Sequence, residues 1–261
     1  MKIPFIWLYN NSKDRKTELF LKRLKKGTII KQKFPLKLGE FNIWVNDEGQ
    51  LKSLQTYSEI FKDKDHTAVP NFPSKKDEVI IDLGANEGFY TLKANEKSPN
   101  SKIISVEPNP YAFQILKKNV SSNKLKNVTL LNKAVTSKNA RIIFEIVKGR
   151  TTVGSTKVYE KYRDKEKLRK IKIDSITLEK LCRKYNIRSI DLLKIDVEGS
   201  EFDILKSSKN ILPKIKKIVV EYHNAQKTKE KVKRILSKNG FKMLLDDKEK
   251  YYGEFYFIRK E

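Results

Sequence analysis

The run Glu78-Val-Ile-Ile-Asp82-Leu-Gly-Ala-Asn-Glu-Gly88 decides the fold. Its first half is short, apolar and β-branched, as a buried strand should be. Its second half breaks into a glycine-bearing turn that opens a helical stretch. The same alternation continues downstream. Strand-like runs occupy Lys102–Glu107, Asn127–Leu131, Ile190–Asp196 and Ile215–Glu221, and helical patterns occupy Tyr111–Asn119, a stretch from about Ser200, and Thr228–Asn239. Gly240–Leu245 and Glu254–Ile258 close the chain as two more strands joined by a turn-rich link. Strands separated by helices demand right-handed crossovers and therefore a mostly parallel sheet. The last two runs permit an antiparallel pair at one edge. The expectation is a doubly wound α/β domain with seven strands. Ala140–Val147 reads as an inserted strand, and Ser175–Lys184 as a helix with Ile176, Leu178 and Leu181 on its apolar positions.

Upstream the pattern changes, so residues 1–73 are expected as an N-terminal extension and residues 74–261 as the main domain. Thr17–Gly27 has helical spacing, with Gly27 placed to end it. Gly39–Val45 and Gln50–Leu54, across Asn46-Asp-Glu-Gly49, suggest a hairpin, and Pro70-Asn-Phe-Pro73 reads as a linker. His66 reads as part of that linker, and Cys182 as a packing residue of its helix. Thr151–Thr156 is read as a substrate lid or a surface loop.

Composition narrows the class. The 261 residues contain 38% hydrophobic residues, enough for a packed core, so global disorder is excluded. A single cysteine excludes an internal disulfide framework, and two histidines exclude a His-rich metal site. No apolar run is long enough to span a bilayer, and the opening residues lack a leader's features. A soluble, cytoplasmic protein is expected. The net charge of +25 is spread along the chain, which suits lysine-rich solvated faces. It is densest from Arg15 to Lys33, where nucleic acid or anionic lipid is the alternative reading. The apolar Ile3, Phe5, Ile6, Trp7 and Leu8 ahead of that segment extend the lipid reading.

Chemistry concentrates at strand ends. Gly84 and Gly88 let a ligand approach the main chain closely beyond the first strand. The Gly-x-x-x-Gly spacing is not the dinucleotide fingerprint, and Asp82 would meet a pyrophosphate badly. A ligand carrying an ammonium and a sulfonium, S-adenosylmethionine, fits those electrostatics. Glu107, ending the next strand, can accept hydrogen bonds from both hydroxyls of an adenosyl ribose, with Pro108-Asn-Pro110 stiffening its loop. Asn132 is a candidate for the adenine edge, against a simple turn asparagine. In Asp191-Leu-Leu-Lys-Ile-Asp-Val-Glu-Gly-Ser-Glu201 the carboxylates of Asp196, Glu198 and Glu201 crowd one strand end. They repel unless a cation, proton or donor holds them.

Asp82–Gly88, Glu107–Pro110, Leu192–Glu201 and Val219–His223 together resemble the FkbM family of methyltransferases over roughly Asp77–Lys260. The resemblance implies a class I, Rossmann-like, S-adenosylmethionine-dependent fold and methyl transfer, usually to a hydroxyl of a glycan, glycolipid or natural product. It implies that Asp82, Gly84, Ala85, Asn86, Gly88 and Glu107 line the cofactor, and that Asp196 and Glu198 face the methyl or its acceptor. His223 is a candidate base, against a surface imidazole. Asp196, Glu198 and His223 could instead hold a divalent cation. An RNA methyltransferase and a non-catalytic membrane-surface protein of the same fold are the competing readings.

Overall fold

The computed structural model describes residues 4–63, 66–147, 154–155, 168–223, 226–248 and 252–260. Most of the Thr151–Thr156 stretch read as a lid or loop lies outside them. The central sheet has seven strands: β3 (Val79–Leu83), β4 (Lys102–Val106), β5 (Val128–Leu131), β10 (Ile190–Ile195), β11 (Ile215–His223), β12 (Phe241–Lys248) and β13 (Tyr252–Arg259). Their order is β12-β13-β11-β10-β3-β4-β5. From β11 to β5 every pairing is parallel, whereas β13 runs antiparallel to both neighbours, β11 and β12. The expected seven-stranded α/β sheet is therefore present, with its reversed strand one place in from the edge.

The intervening helices are α4 (Phe89–Lys97), α5 (Pro110–Ser122), α6 (Leu178–Lys184), α7 (Glu201–Ser207) and α8 (Gln226–Lys238). A second sheet of four strands, β6 (Ala134–Val135), β7 (Arg141–Val147), β8 (Gly154–Ser155) and β9 (Leu168–Ile176), is inserted between β5 and α6. Ser175 and Ile176 finish β9 rather than start the helix. Thr177 is the cap instead, its hydroxyl accepting from the Lys180 amide at 3.2 Å.

Because side chains alternate along a strand, adjacent residues serve different cores. Ile81, Leu83, Leu193, Ile195, Ile218 and Val220 pack with α6, α7 and α8 residues such as Leu181, Ile204 and Val232. Ile80, Ile103, Leu192, Val219 and Tyr256 face the other way. They share one apolar cluster with Leu8, Phe20, Leu21, Leu24, Leu54 and Tyr57 of the N-terminal segment. That segment contains α1 (Phe5–Asn10), α2 (Arg15–Lys25), the strand pair β1 (Leu36–Leu38) and β2 (Phe41–Ile43), and α3 (Gln50–Ser58).

Two expectations for this segment are corrected. The hairpin is β1 with β2, closed at Gly39 with φ +56°, and Gln50–Leu54 belongs to α3. Gln50, Ser53, Leu54, Tyr57 and Ser58 are the buried positions, which is helical spacing, and five residues were too few to separate that period from a strand's. The Pro70–Pro73 stretch is not a bare linker. Phe72 is buried against Tyr256, ring centroids 5.5 Å apart.

Candidate functional site

Strand order reverses between β3 and β10: β4 and β5 extend the sheet one way, β11 and β13 the other. A crevice opens beyond the carboxyl ends of two such strands, and ligands of α/β sheets bind there. Gly84 follows β3 at φ +77°, and a Cβ on it would stand 1.7 Å from the carbonyl oxygen of Asp196, which follows β10. Only glycine permits so close an approach. The Gly84 and Ala85 amides donate to the Val106 carbonyl, which ties the turn to β4. Gly88, at φ +87°, caps α4 under the Leu116 side chain.

An open cleft of about 680 Å³ lies over this turn, lined among others by Gly84, Asn86, Glu107, Asp196, Glu198 and Phe144. Glu107 is buried, and its two carboxylate oxygens accept the amides of Asn86 (2.8 Å) and Asn109 (2.7 Å). Burial nevertheless dominates and pushes its pKa up to about 8. Glu198 and Gly199 both have positive φ, and the Gly199 amide donates to Glu201.

Four predicted residues stand elsewhere than the cleft wall, Gly88 among them as the cap of α4. Asp82 lies beneath it, fully buried, accepting from the Thr91 hydroxyl at 2.8 Å and facing the Lys194 ammonium at 3.4 Å. Ala85 belongs to a small apolar cluster with Leu116 and Val120. Asn132 is exposed and donates to the carbonyls of Glu107 (2.8 Å) and Pro108 (3.1 Å), so its amide braces the Glu107 loop. His223 ends β11 in register with Tyr252, and its side chain lies outside the described residues.

Sequence reasoning missed the groups beside Asp196. Lys194 is buried in β10 and donates to the Gly84 carbonyl at 2.9 Å and to Asp196 at 3.3 Å. Burial alone would lower its pKa, but Asp196, Asp82 and Glu221 around it raise it. His66, read as a linker residue, is buried in the site. Its backbone N–H donates to both carboxylate oxygens of Glu254, and its Nδ1 stands 2.6 Å from one of them. Its Nε2 faces Glu221 at 3.5 Å and Asp196 at 4.0 Å. Burial opposes the charged ring, yet Glu254, helped by Glu221, raises the His66 pKa to about 9. Tyr256 in turn donates to Glu254. One atom each of His66, Asp196 and Glu221 fall within 4.8 Å of one another, a donor set compatible with a divalent cation. The ammonium beside Asp196 and the imidazolium itself already supply positive charge there.

A charged lysine inside the apolar run Leu192–Ile195 was a legible sign of a buried partner. His66 left none, since its partner Glu254 is 188 residues away.

A seven-stranded sheet with β13 reversed, and a glycine turn and acidic strand ends meeting at its switch point, define a class I methyltransferase fold. The methyltransferase FkbM domain matches residues 82–243, and the chain belongs to that family, whose methyl donor is S-adenosylmethionine. The chain is 28% identical over 216 residues to the methyltransferase sdnD of Sordaria araneosa, covering 73% of this chain and 82% of that protein. It is 26% identical to the 2-O-methyltransferase NoeI of Sinorhizobium fredii, covering 62% and 70%. It is 27% identical to the hexuronic acid methyltransferase AglP of Haloferax volcanii, covering 58% of each chain. Among solved structures, the FkbM methyltransferase of Methylobacillus flagellatus superposes with a TM-score of 0.50 at 15% identity, covering 97% of this chain and 57% of that one.

Proposed function

We propose that this enzyme transfers a methyl group from S-adenosylmethionine to a hydroxyl of a glycan, glycolipid or small natural product. The observation that carries the reading is Glu107: a buried carboxylate at the end of β4, opening onto the cleft above the Gly84 turn. Two adjacent ribose hydroxyls are the donors such a carboxylate suits. The carbonyl of Gly84, held by Lys194, and the carboxylate of Asp196 then face the donor's amino acid end. The sulfonium, when bound, supplies a methyl group already activated for attack.

What remains for the chain is alignment and the proton. Holding a hydroxyl oxygen in line with the methyl and sulfur is worth up to about 7–11 kcal/mol. A base adds roughly 10²–10⁴-fold. Asp196 and Glu221, both partly accessible and gathered around His66, are the groups placed to take the hydroxyl proton as the oxygen–methyl bond forms. With its pKa near 9, His66 is protonated at neutral pH and serves better as the fixed cation that holds those carboxylates together. A hydroxyl acceptor is in keeping with the name of the 2-O-methyltransferase from Sinorhizobium fredii, and a sugar acid with that of the hexuronic acid methyltransferase from Haloferax volcanii.

Calorimetry with S-adenosylhomocysteine on the wild type and Glu107→Ala tests the donor site. Wild-type binding with a marked loss in the variant is expected. Equal affinity in both would remove Glu107 from the site, and absence of binding in both would remove the reading.

A further inference from the structure

Helix α2 carries two opposed faces. Thr17, Phe20, Leu21 and Leu24 are buried against the body of the protein. The opposite side presents Arg15, Lys16, Leu19, Lys22, Arg23 and Lys26, all exposed. Leu19, 49% exposed, has basic residues three and four positions away on both sides, which on a helix are its nearest neighbours. The acid within the helix, Glu18, lies on the flank, and Asp14 is occupied as the N-cap, accepting from the Thr17 amide. In the chain segments flanking α2, Ile6 and Ile29 are 75% and 72% exposed, and Lys31 and Lys33 are exposed as well. The apolar opening run itself is mostly packed: Leu8 is buried, Phe5 and Trp7 are half-buried, and Ile3 lies outside the described residues.

We infer that the outer face of α2 docks the protein onto an anionic lipid bilayer. Lysine and arginine beside a negatively charged membrane are attracted over a Debye length, and an aliphatic side chain at their centre gains by entering the interface. The arrangement is that of an interfacial helix: cations outermost, one aliphatic residue among them, and a second apolar face already satisfied by the protein core. Nucleic acid fits it less well. A single strand is held by aromatic side chains under its bases, and this face of α2 has none. Leu19 would be idle against phosphate and is useful against acyl chains. The inference does not depend on the methyl donor or the acceptor.

The test is flotation of the full chain with vesicles of phosphatidylcholine alone, and with phosphatidylglycerol added, at about 0.15 M salt. The protein should float only with the anionic vesicles. Lys22→Glu with Arg23→Glu should lower the bound fraction about tenfold or more, and Leu19→Asp should lower it severalfold. Lys117→Glu with Lys126→Glu changes the net charge equally at exposed sites on and after α5, and should leave binding within about twofold. All three positions on α2 are exposed, so circular dichroism should show unchanged folding. An equal loss in the α5 variant would reduce the effect to net charge and overturn the inference. So would absence of anionic-vesicle binding, or binding of a single-stranded RNA that Lys22→Glu with Arg23→Glu abolishes while Leu19→Asp leaves it intact.

Discussion

Around Glu107 the cleft is made from neighbours: a turn, the strand beside it, and backbone amides from Asn86 and Asn109. The His66 cluster, which meets that cleft at Asp196, is made from strangers. The imidazole comes from the segment before the sheet, Asp196 and Glu221 from β10 and β11, and Glu254 from the last strand. The Glu107 side, the donor side of the proposed reaction, therefore rests on main-chain geometry, which few substitutions can imitate. The His66 cluster, the acceptor side of the proposed reaction, rests on the mutual charge of distant side chains, which single substitutions should retune rather than demolish.

The largest effect expected is at Gly84. Alanine there meets both a positive φ and a Cβ overlapping the Asp196 carbonyl oxygen. A loss of about 2–4 kcal/mol of folding stability follows from strain and overpacking. Thermal unfolding and S-adenosylhomocysteine binding should both suffer. A well-folded Gly84→Ala enzyme with normal affinity would break the distinction between the two halves.

Next is Glu107→Ala, which should weaken S-adenosylhomocysteine by about 1.5–3 kcal/mol, the range for hydrogen bonds to a charged group. A pH signature sharpens it. Burial raises the Glu107 pKa from 4.5 to about 8, and ribose hydroxyls favour the ionised form. Affinity should therefore climb from pH 6.5 to about 8 in the wild type, and stay flat over that range in Glu107→Gln. A flat wild-type profile would mean that the carboxylate takes no part.

The contrast also explains what could be read from the chain. β3, β4, β10 and β11 announced themselves because each is a compact apolar run ending at a turn, and the Gly84–Glu107 pair because both sit at such ends. The Gln50–Ser58 helix was misread since its first five residues fit two periods. His66 and Glu254 were illegible for a different reason: their meaning lies in an approach across 188 residues that no local pattern encodes.

Glu254→Gln probes that approach. Without the carboxylate, burial takes over and the His66 pKa should fall from about 9 toward or below its ordinary 6.5. With just two histidines in the chain, imidazole NMR resolves the titration directly. A raised pKa in the folded state means that the stabilisation is fully present below pH 6.5 and is lost as pH rises through about 9. Wild-type unfolding free energy should thus decline across that window, and Glu254→Gln should flatten the decline. An unmoved histidine titration would show that Glu254 does not set the charge of the cluster.

The smallest effect belongs to Asn132→Ala, and it tests the donor side most finely. The side chain is exposed and spends its amide on the carbonyls of Glu107 and Pro108. Losing such solvent-accessible hydrogen bonds should cost less than about 1 kcal/mol of stability. Its influence on S-adenosylhomocysteine should be indirect, through a looser Glu107 loop, and so smaller than that of Glu107→Ala. The measurement that separates the two roles is a double-mutant cycle with Glu107→Ala, read as affinity for S-adenosylhomocysteine. A residue that only braces the loop weakens the nucleoside through Glu107 and ribose, so Asn132→Ala combined with Glu107→Ala should add little. A residue that reads the adenine edge would add its full loss to that of Glu107→Ala, because the two contacts would be independent.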